Sequence, residues 1–217
     1  MKFSENTLSI LKNFSSINSG IVLKQGKSQR TMSPDKTILA EVTFDEDIGS
    51  DFGIYDLPQF LGNVSTLSNP ELDFTSEKVV MNDGSLKLNY YSCSPTLITT
   101  PPEKSLEMKQ VDVKFDLTSA QMQKLLRLAA MNAMPNLSVV GKEGKLHLKT
   151  HEKNSDTSNF ALMHIGDHSG DDFEKTFKTD NLKMIADDYS VSLTFAGFAL
   201  FENKNKPLKY FVALESK

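Results

Sequence analysis

Apolar and polar residues recur along this chain in two rhythms, one near 3.6 residues and one near 2. The first rhythm opens the chain. Leu8, Ile10, Leu11, Phe14 and Ile17 fall on one side of a helix from about Ser4 to Ile17, and Glu5, Ser9, Lys12, Asn13 and Ser16 fall on the other. Ser4 is placed to cap it, and Asn18-Ser19-Gly20 ends it. A second helix starts at Asp56, with Pro58 in its first turn, where a missing N–H costs nothing. Leu57, Phe60, Leu61, Val64 and Leu67 form its apolar face, and Asn69-Pro70 stops it. A third runs from Thr118 to about Asn132, with Met122, Leu125, Leu126 and Ala129 inward. A fourth, short helix is predicted from Asp180, with Leu182, Ile185 and Ala186 inward and Lys183 outward.

Strand patterns fill the intervals. They cover Ile21–Lys24, Thr37–Phe44, Leu72–Phe74, Lys78–Met81, Ser85–Tyr91, Val191–Phe195 and Tyr210–Leu214. Asn82-Asp83-Gly84 reads as a hairpin turn. Pro95, Pro101 and Pro102 stiffen a segment that resists helix and central strand, so 94–108 reads as a connector.

Beyond the connector the plan repeats. Phe115-Asp116-Leu117 resembles Tyr55-Asp56-Leu57, Pro135-Asn136-Leu137 resembles Pro70-Glu71-Leu72, and Gly144–Leu148 resembles Gly84–Leu88. Four units of one short helix plus hairpin strands imply an α+β chain of two similar domains, 1–108 and 109–217.

Composition narrows the function. With 39% apolar and 24% charged residues, the 217-residue chain suits a folded, non-membrane protein, and Met1–Glu5 has no apolar core of a signal peptide. One cysteine, Cys93, excludes an intrachain disulfide and fits a reducing compartment. The formal charge is −4, from 24 Lys+Arg against 28 Asp+Glu. That argues against holding nucleic acid mainly by neutralising phosphates, and leaves room for a protein that encloses it behind a locally basic lining.

Three segments, Leu11–Gly20, Ile54–Gly62 and Tyr210–Glu215, in this order and spacing, resemble the sliding clamps of T-even-type bacteriophages. The resemblance spans nearly the whole chain and is weakest across 152–172. It implies the DNA-clamp fold, with antiparallel sheets outside and short helices lining an inner face. It implies a homotrimeric ring around duplex DNA, without cofactor or catalysis. The implied partners are the replicative DNA polymerase, a clamp-loader ATPase and late-transcription factors, in the cytoplasm of an infected bacterial host.

Within that frame Lys2, Lys12, Lys124, Arg127 and Lys183 are the expected DNA-facing residues, an ordinary solvated helix face being the competing reading. Leu97 and Ile98 in the connector, with Val212 and Leu214 at the C-terminus, are candidates for docking partner peptides. For Val212 and Leu214 the reading as core strand residues is slightly favoured, since a strand must bury one face. No metal site is expected: His147/His151 and His164/His168 are spaced four apart, but in strands that spacing is ~13 Å. The run Gly166–Asp172 lacks calcium-loop spacing and reads as a mobile hairpin loop. Two rivals remain: a phage structural or adaptor protein without DNA contact, and a hydrolase using carboxylates such as Asp187 and Asp188.

Overall fold

The computed structural model describes residues 1–155 and 157–215. The chain divides into two compact units, Met1–Ser105 and Leu106–Lys217, where the prolines had set the boundary at 108/109.

The first unit opens with α1 (Glu5–Ile17), which buries Ile10, Leu11, Phe14 and Ile17. Each such side chain contributes roughly 1.5–3 kcal/mol when fully buried. Its start is doubly anchored. Ser4 Oγ accepts from Thr7 N at 3.2 Å, and Glu46 accepts from the Ser4 N–H and, at 2.6 Å, from the Thr7 hydroxyl. Then come β1 (Ile21–Leu23), β2 (Gly26–Met32), β3 (Ile38–Ile48) and β4 (Phe52–Ile54). Next are α2 (Leu57–Thr66) and the meander β5 (Glu71–Phe74), β6 (Lys78–Asn82) and β7 (Lys87–Tyr91). β2 pairs with β3, β1 with β4, and β5-β6-β7 in order, all antiparallel. Gly53 in β4 must be glycine: an added Cβ would lie 2.3 Å from the Cys93 carbonyl oxygen, and Cys93 N donates to Gly53 O at 2.9 Å.

β2 escaped the sequence reading because its buried positions are polar. Gln29 and Thr31 are buried there, and the Gln29 amide donates to Lys24 O at 2.8 Å and Gly26 O at 3.0 Å. The connector is tied to its own unit. Asn18 Nδ2 donates to Thr99 O at 3.1 Å, and Arg30, paired with Glu41 at 2.8 Å, donates to Pro102 O at 2.7 Å.

The second unit contains β8 (Val113–Leu117), α3 (Ser119–Met131), β9 (Asn136–Lys142), β10 (Lys145–His151), β11 (Ala161–Asp167) and β12 (Phe173–Lys178). It closes with β13 (Tyr189–Thr194), β14 (Phe198–Asn203) and β15 (Leu208–Ala213). One antiparallel sheet has the order β11-β10-β9-β12; β8, β13, β14 and β15 form a second ladder in the order β8-β13-β14-β15. The strand leading into α3 thus pairs in the ladder of the following repeat, and β12, leading into that repeat, pairs with β9 of the one before. The run Gly166–Asp172 is no hairpin, because β11 and β12 are not neighbours. It crosses the β9–β10 turn, with Glu143 N donating to Asp172 Oδ1 and His168 N to Gly144 O.

The expected fourth helix is absent. Only a 3-10 turn at Thr179–Asn181 precedes β13. The cause lies in two buried tyrosines. Tyr189 OH donates to Ile185 O at 2.6 Å, and Ile185 N donates to Tyr210 OH at 3.3 Å, so the backbone groups a helix needs at Ile185 are already taken. Asp187 completes the knot, accepting from Asn205 Nδ2 at 2.5 Å and Lys206 Nζ at 3.0 Å. Burial lifts the pKa of Tyr189 to about 12.

Tyr189→Phe should leave Ile185 O without its donor and lower stability by about 1 kcal/mol. Urea unfolding of the variant against the parent chain checks this, and an unchanged midpoint contradicts it.

Candidate nucleic-acid interface

The three helices share one design: an apolar stripe against strands and an outer face in solvent. α3 shows how local sequence fixes the second face. Thr118 and Gln121 form a reciprocal capping box, and Asp188 Oδ1 accepts from Ser119 N at 2.8 Å. Met122, Leu125 and Ala129 are thereby turned inward, and Gln123, Lys124 and Arg127 are exposed. On α1 the exposed residues are Glu5, Ser9, Lys12 and Ser16. On α2 they are Pro58, Gln59, Gly62, Ser65 and Thr66, none of them charged.

Lys2 is exposed just before α1. Among the described residues, Lys2, Lys12, Lys124 and Arg127 take part in no ion pair with a carboxylate. Lys183 is exposed as expected, but on the irregular segment that replaces the fourth helix. The charge pattern across all three helices is uneven. They hold one acidic residue, Glu5, of the chain's 28, against three basic ones, Lys12, Lys124 and Arg127. In a chain of net charge −4, the helix faces carry a single carboxylate, Glu5.

The docking candidates separate. Leu97 is 64% exposed, but Ile98, its neighbour in the connector, is 8% exposed and packs beside Gly20. Val212 is fully buried in β15, so it is core and has no surface to offer a partner. Leu214 is half-buried and lines a groove of about 1330 Å³ in the second unit. The C-terminal residues form one wall of it, with Leu214 N donating to Gly197 O and Glu215 N to Thr176 O, both at 2.8 Å. Phe160, Leu162 and Phe195 supply its apolar lining. Phe195 stands 5.0 Å from Phe173, under the Lys175 ammonium at 4.7 Å, and its N–H donates to Asp112. Phe160 and Phe195 were missed in the sequence; no periodicity marks a groove built from a loop and a turn.

Beneath the groove lies a polar cluster. Ser138 Oγ shares hydrogen bonds of 2.8 Å with His151 Nε2 and with Thr176 Oγ1, and Glu174 stands 3.4 Å from His151. Burial, and then the Lys149 ammonium, push His151 below the usual imidazole value against the pull of Glu174 and Glu152. Ser138 is fully buried and Glu174 approaches the same ring nitrogen as the serine, so this is a structural network and not a nucleophile with its base. The hydrolase candidates are equally occupied. Burial alone would raise Asp187, but the Lys206 ammonium, the Asn205 amide and the Asp188 N–H hold its carboxyl below the usual range, and Asp188 anchors α3.

Two family models match the chain. "DNA polymerase processivity factor" covers residues 3–93, and "gp45 sliding clamp, C terminal" covers residues 114–216. The chain belongs to the phage sliding clamps, the processivity factors of DNA polymerases. The sliding clamp of Vibrio phage KVP40 is 29% identical over all of both chains; those of Escherichia phage RB69 and Enterobacteria phage T4 are 29% and 28% identical, over all of this chain and 97% of theirs. Solved clamps share the fold at low identity. The proliferating cellular nuclear antigen of Entamoeba histolytica gives a TM-score of 0.69 at 15% identity, over 96% of this chain and 94% of that one. The antigen from A. fulgidus, bound by the C-terminal region of FEN-1, gives 0.69 at 14%, over 97% and 95%. A C. crescentus beta sliding clamp gives 0.72 at 11%, over 97% of this chain and 64% of that one. The clamp fold places α+β units with antiparallel sheets and few helices in all of them.

His151 makes the clamp's stability pH-dependent. Its folded pKa lies below the unfolded value of 6.5, so its contribution is complete above pH 6.5 and is lost as pH falls through the folded value. The parent chain should lose more stability than His151→Gln as pH falls below 6.5, read by thermal unfolding. Parallel pH profiles would contradict this.

Proposed function

We propose that this clamp closes around duplex DNA as a homotrimer and holds the replicative polymerase there, doing no chemistry itself. One observation carries the reading: an acidic chain places a single carboxylate, Glu5, on its three helices and sets Lys12, Lys124 and Arg127 there without carboxylate partners among the described residues. A tight, phosphate-neutralising binder needs many more cations. A face that must slide needs few, with small neutral neighbours such as Ser9, Ser16, Gly62 and Ser65 and contacts made through water. Lys2, Lys12, Lys124 and Arg127 are the proposed lining residues, with Lys183 adding charge from its loop.

Two free sheet edges supply ring closure. Among the described residues β7 pairs only with β6, and β11 only with β10. Both carry large exposed apolar groups beside them: Leu86 and Tyr91 at 56% and 69% exposure, Phe160 and Leu162 at 63% and 52%. The edges β5 and β8 are blunted by charge, by Glu71 and Asp73 on the first and by Lys114 and Asp116 on the second. In the antiparallel register that sets Lys87 of one copy against Asp167 of the next, Tyr91 meets Met163. Leu162→Glu should therefore turn the trimer into monomers in sedimentation; a trimer of unchanged mass overturns this interface.

The end of the groove at Leu214 and Phe195, away from Phe160 and Leu162 at the proposed ring-closing edge, is the proposed seat for the apolar tails of the polymerase, of a clamp-loader ATPase and of late-transcription factors. The structurally similar A. fulgidus antigen is bound by a C-terminal region, that of FEN-1. Leu97 is a separate exposed candidate on the connector. The site of action is the cytoplasm of the infected host. Replacing Lys12, Lys124 and Arg127 together by Ala should shorten processive synthesis on the order of tenfold while trimer mass is kept. Unchanged product length would return these residues to ordinary surface.

A further inference from the structure

The histidines meet in a pairing their spacing does not suggest. β10 and β11 run antiparallel with a bulge after Leu146: Leu146 faces Gly166, but His147 faces His164. Ile165 is the extra residue, and without the bulge it would stand opposite His147. The two imidazoles lie with ring centroids 5.4 Å apart at 68°. In the single chain His164 is exposed, and His147 is half-buried on the wall of the large groove.

We propose that His147 and His164 form a binding site for one late first-row transition-metal ion, of the Zn²⁺, Ni²⁺ and Cu²⁺ class. Directly opposed strand residues hold their Cβ atoms about 5 Å apart, a span over which two rings can turn one nitrogen each to a shared ion. The ladder fixes that span, since β10 is hydrogen-bonded on both sides, to β9 and to β11.

The surroundings select the metal. Lys145 and Lys149 flank His147 on its own strand, with Val140 opposite on β9 and Leu162 and Asp167 beside His164 on β11. Glu174 is engaged by Lys149 at 3.6 Å and His151 at 3.4 Å. The carboxylate beside the pair, Asp167, stands opposite Lys145 in the ladder; one carboxylate does not supply the several oxygen ligands that Mg²⁺ and Ca²⁺ require, and the ammonium groups weaken any purely electrostatic attraction. Late metals bind imidazole strongly enough to overcome this. Among the described residues no cluster of three or more His, Cys, Asp or Glu gathers for a metal. Water therefore completes the shell, and binding is exchangeable.

The test is calorimetric titration of the full chain with Ni²⁺ in a non-coordinating buffer. One ion per chain is expected, with affinity falling at least about tenfold in His147→Ala and in His164→Ala. His168→Ala and Cys93→Ser should bind as the parent does. Circular dichroism verifies that each variant is folded. In Cu²⁺ electron paramagnetic resonance, nitrogen coupling from two rings should fall to one in either single variant. Parent-like affinity or an unchanged spectrum in the His147 and His164 variants overturns the site, as does a folded parent chain that binds none of the three ions. His164 lies on β11, the proposed ring-closing edge, so sedimentation checks that each variant keeps the mass of the parent.

Discussion

Every helix in this chain must bury one face on strands and leave the other to water, and that constraint sorts the rest of the molecule. The buried face is fixed by Ile10, Leu11 and Phe14 in α1, by Phe60 and Val64 in α2, and by Met122, Leu125 and Ala129 in α3. The outer face is then free to be chosen for charge. Of 28 carboxylates in the chain, Glu5 alone lies on these helices. The rest sit on strands, turns and edges, where many are engaged locally: Glu46 under the start of α1, Asp188 under the start of α3, Asp187 in the tyrosine knot.

This sorting reconciles an acidic protein with a polyanionic partner. Affinity for DNA falls steeply with salt when it rests on many phosphate contacts, and such contacts also resist movement along the duplex. The proposed clamp instead depends on closure, so its stability on DNA comes from the edges β7 and β11 and not from the lining. The helix faces need only avoid repelling phosphate. A mobile ring then keeps its polymerase at high local concentration on the template.

Three of the four expected helices were legible because apolar spacing records them directly: α1, α2 and α3 lie where their stripes predict. β2 was not, because its inward positions are Gln29 and Thr31, whose burial is made tolerable by hydrogen bonds that a hydropathy pattern does not carry. The segment after Asp180 was misread for the opposite reason. Leu182 and Ile185 have helical spacing, but Tyr189 and Tyr210, distant from it along the sequence or beyond the expected helix, claim its backbone. Among candidate residues, Lys12, Lys124 and Arg127 could be placed on outer faces from spacing alone. The groove beside Phe195 and the facing of His147 with His164 depend on a turn and a bulge, which leave no periodic trace.

The central claim is that retention is topological. The most direct measurement loads the clamp onto closed circular duplex DNA, raises the salt, and follows release before and after a single cut in the circle. Enclosure predicts long retention on the circle and rapid loss once an end is created. Equal retention on circular and linear DNA would contradict it.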